Sequence, residues 1–259
     1  MSFKHISVFF LREIHVFKKR FLKTMIDGLV VTSMHLLSLK YFLPAMGMNP
    51  EWQTPLYLGN ILSLCFVSSY IRGIDITRDI DGSNFLQYQC ALPGKGLYAL
   101  YAYVFGFTLH MVALVAPILG FGLLFLNGVC SYPGSLLGLF FMVLLVSIFF
   151  AFLLLTLSIF CRPDAYLDNV WPRILGPLFV FGGVFYTWKR IALLTPFLAK
   201  FFLLSPVLYC SEGLRGALLT DADYISLPVC ITVLVLSIMI LWYLMKRALK
   251  HRIDYVEGV

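Results

Sequence analysis

Charge is what this sequence has least of. Only 13% of its 259 residues are Asp, Glu, Lys or Arg, whereas 60% are hydrophobic. A soluble domain carries about a quarter charged residues. A chain this apolar has too few charges to keep its surface in water, and its mean hydropathy of +0.88 agrees. It reads as an integral membrane protein.

Other features are missing as well. Six cysteines, with no C-x-x-C pair and no Cys/His cluster, support neither a disulfide scaffold nor a zinc or redox site. The nearest approach to a phosphate-binding loop is Gly94-Lys95. There Gln89 stands where the first glycine belongs, and Gly96 follows in place of Ser or Thr. The chain is therefore expected to bind no nucleotide itself. Lys4, His5, Arg12 and Glu13 interrupt any signal-peptide core, so no cleavage is expected.

What the chain has in abundance is apolar runs. Crossing a bilayer takes about 20 apolar residues. Such runs lie near Met25–Leu43, Pro55–Tyr70, Leu97–Leu126, Ser135–Phe160, Ala165–Tyr186 and Ile225–Met245. The predicted class is an all-α integral membrane fold with six transmembrane helices in a single domain, 1–259. Asp27 and Lys40 read as edges of the first span, where long side chains reach the interface. Arg173, with Pro172 and Pro177, blurs the fifth.

Residues 1–23 form a separate element. Phe3, Ile6, Phe10, Ile14, Phe17 and Phe21 share one helical face, with Lys4, Arg12, Lys19 and Lys23 elsewhere on the wheel. This pattern predicts a basic amphipathic helix in the headgroup plane. The net charge of +7 follows membrane topology and calls for no nucleic-acid partner. Lys4, Arg12, Lys18, Lys19, Arg20, Lys23, Arg72, Arg78, Lys95, Arg162, Arg173, Lys246, Arg247, Lys250 and Arg252 fall on the side of the termini. The far side holds Lys40, Lys189, Arg190, Lys200 and Arg215. The bias predicts a multi-pass protein of the cytoplasmic (inner) membrane with both termini cytoplasmic.

Two segments are not simple crossings. In 72–96, Ser83 or Asn84 can cap a short helix reaching about Ala91, which Pro93-Gly94 ends. That is either a handle for a partner protein or a solvated loop. In 187–222, Pro196 and Pro206 break apolar stretches too short to cross. Bent backbone at membrane depth must be buried in protein or line a water-filled space. A re-entrant pair of half-helices on the outer side and an interfacial loop both meet the pattern. Glu212 and Arg215, three apart, share a helix face. Cys130 and Cys210, both on the predicted outer side, either pair or are simply buried.

Four motifs together resemble the permease subunits of ABC exporters of the ABC-2 type: "FLREIHVFKKRF" (10–21), "DIDGSNFLQYQCALPGKG" (79–96), "GPLFVFGGVFYTW" (176–188) and "LSPVLYCSEGLRGALL" (204–219). Gly182 stands where that family often has serine, and Ser205 where it has asparagine. The resemblance covers essentially the whole chain and rests on the order and spacing of the motifs. It implies a cytoplasmic amphipathic helix, a cytoplasmic coupling helix between spans two and three, and a broken outer hairpin before span six. It also implies a second permease subunit, identical or related, and two copies of a separate ATPase subunit. Asn84, Phe85, Leu86, Gln87, Leu92 and Pro93 would then couple to the ATPase. Gly182, Gly183, Pro206, Glu212 and Arg215 would form the outer gate.

Other classes fit less of the sequence. A membrane enzyme acting on lipids would need a metal or nucleophile cluster; Asp75, Asp79 and Asp81 are the acidic run available, and they lack histidine partners. A channel would need polar residues repeated along its spans, and spans three and four offer little beyond Thr108, His110, Ser147 and Thr156. No catalytic residue, cofactor or metal is assigned. Aromatics, 16% of the chain, fit interfacial belts or a cargo path for a glycan, a lipid-linked molecule or an amphipathic small molecule.

Overall fold

The computed structural model describes residues 3–81, 97–126, 134–219 and 224–257. Every regular element among them is helical. Helix α1 (Phe3–Leu37) continues through a π-wound turn, Ser38–Phe42, into Leu43–Ala45. α2 spans Gln53–Asp81, α3 Leu97–Leu126 and α4 Leu136–Phe160. α5 is composite, with a turn at Pro163–Ala165, a π-wound stretch at Tyr166–Leu175 and α-turns at Gly176–Phe181. Three short helices follow, α6 (Trp188–Leu194), α7 (Pro196–Phe202) and α8 (Pro206–Leu219), and α9 (Leu227–Glu257) ends the chain.

Among the described residues, five helices are long and apolar enough to cross a membrane: Phe9–Ala45, Pro50–Ile80, Tyr98–Leu126, Leu136–Phe160 and Leu227–Lys250. α5, where the fifth crossing was expected, does not reach that apolar length, because Asp164, Asp168 and Arg173 lie within it. The amphipathic stretch 1–23, read from sequence as its own element, runs without a break from Phe3 into the first span. At about 1.5 Å per residue, α1 is about 52 Å long. A hydrocarbon core is about 30 Å thick, so a large part of α1 extends beyond it.

Cross-contacts give the direction of each helix. Phe10 meets Phe105 edge to face, Gly28 lies against Leu114 and Ile118, and Lys40 Nζ donates to the Phe125 carbonyl at 2.6 Å. α1 and α3 are therefore parallel. α2 runs the other way: Tyr57 donates to the Ile118 carbonyl at 2.5 Å, while Arg72 and Tyr103 line a common cavity. α4 and α9 are parallel to each other, since Gly138 lies beside Leu227 and Thr156 donates to the Leu241 carbonyl at 3.3 Å. Trp242 Nε1 donates to the Tyr101 hydroxyl at 2.8 Å. The early part of α1 and the late part of α9 thus meet the start of α3, at one end of the bundle. That end is the terminal end below, and the other is the far end.

α5 runs from one end toward the other. Tyr166 packs on Gly73 and stacks on Tyr70, whereas Val184, just past α5, packs on Gly59. Those glycines are about 21 Å apart along α2 at about 1.5 Å per residue. Pro172 supplies no N–H to this helix. The wider winding instead gives i→i−5 bonds, such as Gly176 N–H to the Trp171 carbonyl.

Several interior hydroxyls are satisfied within their own helices, as a lipid environment favours. Hydroxyls of Thr32, Thr77, Ser147 and Thr156 donate to carbonyls four residues back on their own helices, at 2.7, 2.8, 2.7 and 2.7 Å. Phe66, Phe149 and Phe150 are fully enclosed where α2 meets α4. Small residues let helices approach where bulk would hold them apart. A Cβ on Gly73 would collide with the Tyr166 ring, and one on Gly122 with Tyr57.

Candidate functional site

The sequence 206–219 is amphipathic in an unusual sense: its charged residues face inward. α8 starts at Pro206, whose missing N–H costs nothing at a helix start. The carbonyl of Ser205 accepts from Leu208 N–H at 3.2 Å. From Val207 to Arg215 every residue of α8 is buried. Glu212 and Arg215 both have 0% exposure, and Arg215 is among the largest fully enclosed side chains among the described residues.

Burying a charge is costly unless it is paired and hydrogen-bonded. Here both conditions are met. Arg215 Nη1 lies 3.2 Å from Glu212 Oε1 and also donates to the Tyr186 carbonyl at 3.0 Å. Nε donates to the Pro55 carbonyl at 3.0 Å, and Nη2 to the Val184 carbonyl at 3.1 Å. The rigid donor fork of arginine reaches all of these at once, which a lysine could not do. Glu212 completes the set. Oε1 accepts from Trp188 N–H at 3.1 Å, and Oε2 from Ile225 N–H at 3.3 Å.

The two backbone N–H donors on Glu212 bracket the segment between α5 and α9. The chain leaves at Trp188 and returns at Ile225, and both points are tied to one carboxylate. Between them α7 and α8 meet at a 96° bend. α8 begins beside the Gly182 turn, where Val207 fills the space a Cβ would take. It ends at the mouth of α4, where Gly134 N–H donates to the Leu218 carbonyl at 2.9 Å and Ser135 N–H to that of Ala217 at 3.1 Å. α6 and α7 instead turn several apolar side chains outward: Leu193, Leu194 and Phe197 are largely exposed.

Gly182 and Gly183 form the turn that receives α8. Gly183 has φ of +66°, a conformation glycine adopts without a Cβ penalty. The Gly182 carbonyl accepts from the Ser211 hydroxyl at 2.7 Å. Gly59 on α2 is the third small residue here: a Cβ there would collide with the Val184 carbonyl and with Arg215 Nη2.

The structure thus gathers Gly182, Gly183, Pro206, Glu212 and Arg215 in one place at the far end. It adds partners that sequence spacing did not reveal: Gly59, Pro55, Val184, Tyr186, Trp188 and Ile225. Most of these contribute only a backbone group, which leaves no trace in residue identity. Asn84, Phe85, Leu86, Gln87, Leu92 and Pro93 lie outside the described residues, as does Cys130. Cys210 is a free, buried thiol. Asp75 and Asp79 share the wall of a cavity with arginines. Among the described residues there is no group of three His, Cys, Asp or Glu side chains placed to hold a metal.

The arrangement is suited to holding backbone segments together, and no nucleophile or proton-transfer pair faces open space in it. Comparison with protein-family models, with curated proteins and with solved structures finds no match for this chain.

Proposed function

We propose that this chain is the membrane-spanning permease subunit of an ATP-driven exporter of the ABC-2 type, working with a separate ATPase subunit and a second permease. The observation that carries the reading is the double tether on Glu212. A polar knot closes a bent, membrane-facing hairpin at the far end of a bundle of apolar helices. A hairpin pinned at its base and free at its apolar flank is a body that can tilt as a unit. That is what an outer gate must do. In this reading α5 is a sixth crossing, supported by its passage from Gly73 toward Gly59. The terminal end faces the cytoplasm, supported by Lys18, Lys19, Arg20, Arg78, Arg162, Lys246 and Arg247 gathered there. The membrane is then the cytoplasmic (inner) one.

The four motifs and their order supply the family, and the hairpin supplies a place for its gate. ATP-driven closure would enter through 84–93 and end at α6–α8. The cargo class consistent with the apolar flank is a glycan on a lipid, another lipid-linked molecule, or an amphipathic small molecule.

Purification of the tagged chain from its native membrane in mild detergent, with partners identified by mass spectrometry, tests the reading. The expected result is an ATPase carrying a phosphate-binding loop, in equal stoichiometry. Recovery of the permease without any ATPase, with in-membrane crosslinking equally blank, would overturn it.

A further inference from the structure

A second polar site lies at the terminal end, outside the Glu212–Arg215 knot. α1, α2 and α3 enclose a cavity of about 400 Å³, within the size range of small-ligand sites. Its lining is mostly ionisable. Arg12 and the buried Glu13 come from α1 and lie 3.6 Å apart. Arg20 from α1, with Arg72 and Arg78 from α2, adds three more guanidinium groups. Asp75 and Asp79 are the remaining acids in the wall.

The guanidinium groups outnumber the carboxylates, and the balance is sharper than the count. Glu13 is engaged by Arg12, and Asp79 also has a partner. Among the described residues, Arg20, Arg72 and Arg78 make no ion pair and no side-chain hydrogen bond. Three guanidinium groups from two helices therefore line one space, and of these Arg72 is partly offset by the carboxylates of Glu13 and Asp75. The buried Tyr103 hydroxyl stands in the same wall, beside Arg12. Further inward on the facing helices are unpartnered buried polar atoms, Ser69 Oγ, Thr108 Oγ1 and His110 Nδ1.

Glu13 is seated by design of the backbone. A Cβ on Gly106 of α3 would press on its carboxylate and on its own Cβ. The glycine lets α1 approach α3 closely enough for Arg12 to be held over the Tyr103 ring, 5.9 Å from its centroid.

We infer that this cavity binds a phosphoryl group carried on a lipid. Guanidinium forks match the geometry of phosphate oxygens and bind them by paired, charge-assisted hydrogen bonds. The position selects a lipid over a free anion. Tyr103 and Phe107 stand about 9 to 15 Å along α3 from Leu97 at about 1.5 Å per residue, within a helix long and apolar enough to cross a membrane. Val16, Ile76 and Phe107 give the wall an apolar portion beside the charged one. An amphipathic ligand satisfies both portions, with the phosphate on Arg20, Arg72 and Arg78 and the ester and first acyl carbons against the apolar side. The site is independent of the exporter reading, because it requires only that the terminal end sit at a membrane surface.

The test uses the full chain in phosphatidylcholine nanodiscs doped with phosphatidylglycerol, released for native mass spectrometry. Wild type is expected to retain phosphatidylglycerol. The Arg20→Gln/Arg72→Gln variant should retain about tenfold less, the scale of a lost charge-assisted hydrogen bond. Lys18→Gln/Lys19→Gln removes the same charge from exposed side chains of α1 outside the cavity and should retain as much as wild type. If the first variant fails to fold, Arg20→Gln/Arg78→Gln replaces it, since both side chains are exposed. Equal retention in all variants, or equal loss in the arginine and lysine variants, would overturn the site. Saturable binding of inorganic phosphate by a protein that retains no phosphatidylglycerol would overturn the lipid assignment. Lipid retention is read without ATP or transport, so its failure is distinct from failure of the exporter reading.

Discussion

Arg215 Nε donates to the carbonyl of Pro55, 160 positions earlier in the chain. That bond joins the first turn of α2 to the hairpin before α9, and Gly59, one turn further on, leaves room for it. The far end of the bundle is therefore organised around one guanidinium. Its donors go to Pro55, Val184, Tyr186 and Glu212. Each of the following predictions tests one consequence of that arrangement or of the topology around it.

Replacing Arg215 by Ala leaves Glu212 buried beside unanswered carbonyls. Removing one partner of a buried pair costs about 3–5 kcal/mol. The variant is expected to lose its monodisperse peak on heating at a clearly lower temperature than wild type, read by fluorescence-detected size exclusion. Arg215→Lys should restore little, since one ammonium cannot reach three carbonyls on two segments and a carboxylate at once. Wild-type stability in the lysine variant would reduce the knot to a simple charge pair.

Glu212→Gln keeps the size and one carbonyl oxygen but replaces the acceptor facing Ile225 N–H with an amide NH₂. We expect normal membrane insertion and impaired transport by the assembled complex, because one tether of the hairpin is lost. Full transport would show that Glu212 serves only to neutralise Arg215.

At Gly59, the obstacle to any side chain is the Val184 backbone, which cannot rotate away. Gly59→Val is expected to destabilise the fold by about as much as overpacking does elsewhere, about 1–3 kcal/mol. Gly120→Val, on α3 with nothing near its absent Cβ, is the control and should behave as wild type. Equal thermal behaviour of the two variants would mean that α2 does not approach the 184 turn so closely.

Topology can be read chemically. With other reactive thiols removed, single cysteines at Asp164 and Lys189 should label with a membrane-impermeant reagent from opposite faces. Labelling of both from one face would show that α5 does not cross; five crossings would then put the termini on opposite faces and overturn the assignment of both to the cytoplasm.

A charge in the segment before span three tests the coupling role. Leu86→Glu is expected to leave the permease folded while uncoupling ATP hydrolysis from transport in the reconstituted complex. Unchanged coupling would remove 84–93 from the docking surface.

Much of the architecture was legible in the chain because lipid makes simple demands. An apolar run of sufficient length must be a helix in a bilayer, since no water is present to satisfy its backbone. The runs at Leu97–Leu126 and Ser135–Phe160 reappear almost unchanged as α3 and α4. Pro196 and Pro206 announced the broken hairpin, because proline lacks the N–H of a helix interior and fits best in a first turn. No helix end stands at residue 23, because amphipathic and apolar stretches share the same period and nothing between them stops a helix.

What the sequence determined by itself, then, was which segments are helical and apolar, and that Glu212 and Arg215 lie one turn apart on the same face. Only the tertiary structure decided that this face points inward. It also decided that the guanidinium is answered by carbonyls of Pro55, Val184 and Tyr186, and that Arg20 and Arg72 converge from different helices on one cavity. Carbonyl acceptors are carried by every residue alike, so a sequence cannot say which of them a side chain will find. Convergence across helices depends on how closely they pack, and that was set by the missing Cβ atoms of Gly59, Gly73 and Gly106.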